Sequence, residues 1–153
     1  MVQLDHRIPP PLVALAGCGL AWALARLAPA FALSLPHRLG IALGIAAAGF
    51  ALEVWALLHF HRARTTISPL APQKSSAIVR DGPYRFTRNP MYLGMAIQIA
   101  AFCLWLAHPL APLGLVAFVA YITRFQILPE ERAILARFGE PYAHYLRQVR
   151  RWL

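Results

Sequence analysis

Four long apolar segments separated by polar connections dominate the chain. They cover about residues 12–28, 39–60, 90–107 and 110–128. About 20 apolar residues cross the hydrocarbon of a bilayer as a helix, so each segment predicts one spanning helix. Helices are the expected spanning structure because they satisfy their own backbone hydrogen bonds in lipid. We therefore predict one all-α integral membrane domain, residues 1–153, with four transmembrane helices.

Two polar, basic segments adjoin the later spans. A loop, residues 62–89, and a tail, residues 129–153, hold most of the arginines. Two spans lie between them, so they share one side of the membrane, and the positive-inside rule places them and both termini in the cytoplasm. The tail pattern, interrupted at Gly139 and Pro141, predicts a pair of interfacial helices.

The first apolar segment also allows a second interpretation, a signal peptide. Arg7 precedes it, and Ala30-Phe31-Ala32 resembles a cleavage site. However, Arg26 would interrupt the apolar region of a signal peptide. This favours a spanning helix in which the Arg26 side chain extends to the interface.

The composition excludes a soluble domain of ordinary type. Hydrophobic residues make up 59% and charged residues 14%, against roughly a quarter charged in soluble domains. The net charge of +9 could suggest nucleic acid, but the basic residues flank the apolar spans, which indicates membrane lipids instead. A nucleic-acid partner is therefore not expected. A metal is not expected either, because Cys18 and Cys103 lie in apolar segments and His59 and His61 face different sides of a helix.

Small residues in the second span predict a close helix contact. Gly40 and Gly44 are four residues apart and fall on one face of a helix. Such a pair lets a neighbouring helix approach closely in a membrane.

A cluster of turn formers, arginines and tyrosines lies where the basic loop enters the third span. Its first half carries Asp81, Arg85 and Arg88, whereas no charge follows Arg88 until the end of the span. Asn89 is a good N-cap residue and Pro90 suits the first helical position, which explains both without a ligand. The free N–H groups of a helix start can also bind the anionic part of a ligand, so both interpretations stay open.

Three acids near or within the spans need partners. Glu130 and Glu131 follow Pro129, where acids favour the positive end of a new helix. Alternatively, they pair with arginines of the loop such as Arg85 and Arg88, or with a cationic ligand. Glu53 lies inside the second span and is a functional-site candidate, unless it simply pairs with Arg124.

Several of these elements in order resemble a known family. The segment Gly82–Gly94, then Glu130-Glu131, then Phe138–Tyr145 resembles the isoprenylcysteine carboxyl methyltransferase family, which is related to the membrane phospholipid N-methyltransferases. The resemblance extends over about Thr65–Arg151. It implies an integral membrane enzyme that uses S-adenosylmethionine, with a cofactor pocket formed by the loop before the third span, the start of that span, the acidic pair and the interfacial tail helices.

The resemblance also implies residue roles. The implied cofactor-binding residues are Ser76, Ala77, Ile78, Val79, Tyr84, Asn89, Pro90, Met91, Tyr92, Glu130 and Glu131. The implied catalytic residues are Arg88, Asn89, Glu130 and Glu131, and the candidates for substrate contact are Glu53, Arg85 and Arg124. Asn89 stands where the family often has His; it can position a ligand but cannot titrate near neutral pH.

The expected function is S-adenosylmethionine-dependent O- or N-methyl transfer to a lipid-like or hydrophobic acceptor. The expected place is the cytoplasmic face of a prokaryotic cytoplasmic membrane. Two alternatives remain: a small four-helix transporter with Glu53 as the coupling acid, and an NADPH-dependent membrane reductase of related architecture. The sequence leaves the acceptor open among a phospholipid amine, an isoprenoid acid and a small hydrophobic thiol or amine.

Overall fold

A computed structural model describes residues 8–62 and 78–153. Within these ranges all regular elements are helical and none is a strand, which confirms the all-α fold class. The six α-helices are α1 Pro10–Leu27, α2 Arg38–Arg62, α3 Pro90–Leu106, α4 Pro112–Ile122, α5 Leu128–Phe138 and α6 Glu140–Gln148. Short 3-10 turns occur at Pro29–Phe31 and Gly82–Arg85.

Three helices are long and apolar enough to cross a membrane. They are α1, α2 and the continuous helix Pro112–Phe138, and α3 is a shorter apolar helix of 17 residues. The described residues therefore fit a multi-pass membrane protein with three to four spans. The count of four spans and their boundaries stay predictions.

Helix α3 packs against α1, α2 and α4, with its most extensive contact on α2. The backbones of α2 and α3 meet where a Cβ added to Gly94 would lie 2.7 Å from the Gly49 carbonyl oxygen. Small residues permit this approach. The expectation of close packing at Gly40 and Gly44 was wrong within the described chain, because nothing lies within 4 Å of a Cβ added at either position.

The helix that begins at α4 does not end at Pro129, contrary to the sequence expectation. One turn of π-helix, Thr123–Ile127, joins α4 to α5, and the backbone stays helical at Ile127. Proline lacks an N–H group and crowds the carbonyl of the preceding turn, and the wider π turn before Pro129 relieves this crowding. Glu130 and Glu131 therefore lie within a continuous helix, not at a fresh helix start.

The tail returns to the loop that precedes α3. Gly139 has a φ of 59° and ends α5, after which α6 begins at once. The Tyr145 hydroxyl on α6 donates a 2.8 Å hydrogen bond to the Tyr84 carbonyl. Beyond α6, the Arg88 N–H donates to the Arg150 carbonyl at 3.0 Å. These bonds hold the tail against the start of α3, where the candidate site forms.

Candidate functional site

The start of α3 is held by the tail and carries no side-chain cap. Asn89 occupies the N-cap position, but its side chain makes no capping hydrogen bond. Its Nδ2 instead donates to the Arg151 carbonyl at 2.9 Å, and its backbone N–H donates to Thr87 Oγ1 at 3.2 Å. The predicted position was right, whereas the predicted capping bond was wrong. The first turn of α3 therefore keeps N–H groups that no side chain of the described residues caps.

The acidic pair of α5, Glu130 and Glu131, meets the start of α3 and the end of the tail, and we call this meeting place the corner. The two acids have different partners. Glu130 Oε1 accepts hydrogen bonds of 2.7 Å from the Tyr92 hydroxyl and 2.7 Å from Gln126 Nε2. Glu131 is 9% exposed and binds two guanidinium groups. Arg88 Nη2 lies 3.4 Å from Oε1, and Arg151 binds both carboxylate oxygens, at 3.1 and 2.8 Å.

Buried tyrosines form one side of the corner. Tyr84, Tyr142 and Tyr145 are each 4–5% exposed. The Phe60 ring packs edge-on against Tyr84 with ring centres 5.2 Å apart. Burial is the main reason that the pKa of each of these three phenols is raised. These phenols therefore stay neutral near neutral pH, and they form a buried side of the corner that carries hydroxyl donors.

Two buried polar atoms at the corner have no hydrogen-bond partner among the described residues. They are the Tyr84 hydroxyl oxygen and Arg88 Nε. An unpaired buried polar group is costly, by about 1–3 kcal/mol, and native structures rarely leave one without a reason. Together with the uncapped N–H groups of α3, these atoms offer donors to a bound ligand, while Glu130 offers an acceptor.

The remaining residues implied for the cofactor pocket are only partly accounted for. Ser76 and Ala77 lie outside the described residues. Ile78 and Val79 are half-buried just before the 3-10 turn, Pro90 is buried, and Met91 is half-buried. Arg85 is exposed and, among the described residues, pairs with neither acid, so the suggestion that it balances the acidic pair was wrong.

Glu53 and Arg124 are not brought to the corner as a pair. Glu53 Oε1 accepts a 2.9 Å hydrogen bond from Gln98 Nε2. Arg124 is exposed, and its guanidinium lies 5.4 Å from the Phe125 ring centre. The suggested ion pair between them is therefore wrong. Glu53 packs against α3 at Gly94.

Sequence reasoning missed three contributors to the corner: Gln126, Thr87 and Arg151. Gln126 stands four residues before Glu130, a spacing at which helical side chains meet, so it had a usable signal. Arg151 is one of several tail arginines, and nothing in the sequence distinguishes it. Within residues 8–62 and 78–153, no group of three or more His, Cys, Asp or Glu side chains is placed to hold a metal ion.

The apolar helices define an all-helical membrane protein whose polar corner joins a loop, a helix start and a tail. The family model for phospholipid methyltransferase matches residues 37–140. The chain therefore belongs to the phospholipid methyltransferase family, which is related to the isoprenylcysteine carboxyl methyltransferases. The family indicates methyltransferase activity at a membrane.

One curated relative, from a bacterium, matches part of the chain. Over 63 residues the chain is 43% identical to an uncharacterized protein of Haemophilus influenzae, a match that covers 41% of this chain and 100% of that protein. No solved structure matches the chain. The comparisons support neither the transporter nor the NADPH-dependent reductase.

Proposed function

We propose that this protein is an S-adenosylmethionine-dependent methyltransferase that acts on a lipid-like acceptor at the cytoplasmic face of a prokaryotic membrane. The observation that carries the proposal is the contact of both acids of α5 with the loop and helix start at α3, through Tyr92–Glu130 and Arg88–Glu131. The family membership supports methyl transfer. The clustering of arginines in the loop and tail supports a cytoplasmic site with both termini on that side.

The groups at the corner fit the polar parts of S-adenosylmethionine. Its carboxylate suits a guanidinium and a helix start, so we assign it to Arg88 and the first turn of α3. Its amino group and ribose hydroxyls suit a carboxylate, so we assign Glu130 to them. The Tyr84 hydroxyl, buried and without a hydrogen-bond partner among the described residues, supplies a further donor. Glu131 fixes the Arg88 side chain and ties it to Arg151.

When bound, S-adenosylmethionine supplies a methyl group on a positively charged sulfur, which is already activated for displacement. The residues then contribute mainly alignment and the exclusion of water. Tyr84, Tyr142 and Tyr145 keep one side of the corner dry. An acceptor carboxylate needs no base. An acceptor amine must lose a proton from its nitrogen, and the Glu130 carboxylate is the group that we propose to receive it.

Calorimetric titration of the purified protein tests the assignment of the cofactor. We expect heat of binding with S-adenosylmethionine and none with NADPH. Glu130→Gln and Glu131→Gln should each weaken binding by about 1–3 kcal/mol, since each removes a charged hydrogen-bonding group. Glu140→Gln is the matched control, because Glu140 is exposed and pairs only with Arg147 among the described residues.

If protein that remains monodisperse gives no heat of binding with S-adenosylmethionine, the proposal is refuted. Heat with NADPH alone would favour the reductase. Incubation with isotope-labelled methyl donor and total membrane lipid, followed by mass spectrometry, would identify the acceptor. Label found on no lipid, despite tight cofactor binding, would restrict the acceptor to non-lipid molecules.

A further inference from the structure

A groove lies between α1 and α2, flanked by exposed apolar side chains such as Leu15 and Leu43. Helix α3 forms its floor, α1 contributes Ala14 and Cys18, and α2 contributes Leu43 and Ala46. Its volume is about 610 Å³, within the range of small-molecule sites. Nearly all of its lining is apolar, so water has little to bind there.

The groove is elongated along the helices. Its lining residues on α2 run from Leu39 to Glu53, a separation of fourteen residues, or about 21 Å at 1.5 Å per residue. One leaflet accounts for about half of the roughly 30 Å hydrocarbon thickness. A hydrocarbon chain of one leaflet's length therefore fits lengthwise, and the groove is open between the exposed Leu15 and Leu43 side chains.

One end of the groove is polar. Glu53 and Gln98 both line it, and Gln98 Nε2 donates to Glu53 Oε1 at 2.9 Å. Among the described residues, no cation pairs with Glu53, whereas Glu131 and Glu140 both pair with arginines. A carboxylate within a span is costly and usually serves a function. Its charge is complementary to an ammonium group, which forms strong hydrogen bonds with carboxylates.

We propose that this α1–α2 groove binds a long-chain primary amine, with the hydrocarbon along α3 and the ammonium at Glu53 and Gln98. The site is separate from the corner. Gly94 packs on Glu53, whereas Tyr92 binds Glu130, and side chains two residues apart on a helix point about 200° from each other. Binding of the amine in the groove therefore does not depend on methyl transfer at the corner.

Photolabelling of the full chain in lipid nanodiscs, without any methyl donor, tests the proposal. The probes are a hexadecylamine with a diazirine in its chain and the hexadecyl methyl ether with the same diazirine. We expect the amine to label α1, α2 and α3 peptides that line the groove, at about tenfold lower concentration than the ether, as one charge-assisted hydrogen bond implies. Unlabelled hexadecylamine should compete.

Two variants and two matched controls locate the binding site. Glu53→Gln should remove the preference for the amine, and Ala46→Phe should fill the groove and abolish labelling. Ala48→Phe places the same side chain on the exposed face of α2, and Glu140→Gln removes an exposed acid elsewhere, so both should label like the parent. Thermal melting and gel filtration verify that each variant is folded.

Equal labelling by the two probes would overturn the proposal, as would undiminished labelling of folded Glu53→Gln or labels that map only to the loop and tail. Loss of S-adenosylmethionine binding in the calorimetric test would leave these outcomes unaffected, so the two proposals fail separately.

Discussion

The Tyr92 hydroxyl donates a 2.7 Å hydrogen bond to Glu130, linking the first turn of α3 to the helix that follows α4. These residues are 38 positions apart in the chain. The bond joins the two segments that carry the resemblance to membrane methyltransferases, and it sets the position of the carboxylate that we assign to cofactor binding.

Removal of this hydroxyl should weaken both folding and cofactor binding. We expect Tyr92→Phe to lower the free energy of unfolding by about 1.5–3 kcal/mol, because the lost bond involves a carboxylate. Tyr121→Phe is a matched control, since the Tyr121 hydroxyl is buried and has no partner among the described residues. Thermal melting in detergent measures the stability of both variants, and calorimetric titration with S-adenosylmethionine measures their cofactor binding. Equal Tm values for Tyr92→Phe and the parent would show that the bond adds nothing.

Arg151 should matter more than other tail arginines. It binds Glu131 through two hydrogen bonds, and its own carbonyl accepts bonds from Thr87 and Asn89. We expect Arg151→Ala to destabilise the protein by about 1–3 kcal/mol, because Glu131 then stays buried with Arg88 as its only ion-pair partner among the described residues. Arg147→Ala removes an exposed pair with Glu140 and should change stability by about 0–1 kcal/mol.

Thermal melting and calorimetric titration of these two arginine variants also distinguish a role in fold stability from a role in positioning the cofactor site. A loss of cofactor affinity in Arg151→Ala, at a temperature where the variant is fully folded, would show that the tail positions the site. Identical melting of the two variants would contradict the buried ion-pair geometry.

The α2–α3 contact leaves no room for a methyl group at Gly94. A Cβ there would lie 2.5 Å from Glu53 Cγ and 2.7 Å from the Gly49 carbonyl oxygen. We expect Gly94→Ala to cost about 1–3 kcal/mol through overpacking. Gly44→Ala is the control, because nothing lies within 4 Å of its added Cβ, and alanine favours a helix by about 1 kcal/mol over glycine. Resistance to denaturing detergent ranks the variants; a Gly94→Ala protein as resistant as its parent would contradict the packing.

The buried tyrosines predict a loss of stability at alkaline pH. Burial raises the pKa of Tyr84, Tyr142 and Tyr145 above the ordinary phenol value. Their stabilising contribution is complete below the unfolded-state pKa of about 10 and falls as pH rises above it, because the unfolded chain then releases protons that the folded chain retains. We expect Tm to fall above about pH 10.

Tyr145→Phe should reduce this alkaline decline, because it removes one of the three phenols. Ultraviolet absorbance of the phenolate reports ionisation alongside melting. Ionisation of all tyrosines near pH 10, with the fold intact, would show that these side chains are not buried.

The sequence predicted the helical membrane class and the contact between the acidic pair and the start of α3. The class follows from a local signal, the length of the apolar segments, whereas the contact was implied by the resemblance of the ordered motifs to the methyltransferase family. The helix contacts were less accessible. Gly40 and Gly44 match a packing motif better than Gly49 does, yet it is Gly49 that meets α3. Which face of a helix is covered depends on the neighbours, which spacing within one segment does not specify.

The partners within the corner were also beyond local reasoning. Asn89 has the residue type of a cap, but the Arg151 carbonyl, 62 positions away, competes for its amide. Pro129 has the residue type of a helix start, but the π turn before it lets the helix continue. In both places a tertiary contact or a rare helical geometry overrides the preference of a single residue.

The π turn at Thr123–Ile127 has a practical meaning for protein engineering. It fits one residue more than a regular α-helical turn into nearly the same rotation about the axis, so deletion of a single residue there should restore a regular helix and leave the helix faces before and after the turn almost unchanged. Deletion of one residue from the regular part of α4, by contrast, would rotate everything beyond it by about 100° and turn Glu130 away from Tyr92. The π turn is thus the place in the long helix where the loss of one residue should be tolerated, because the apolar and acidic halves keep their relative orientation.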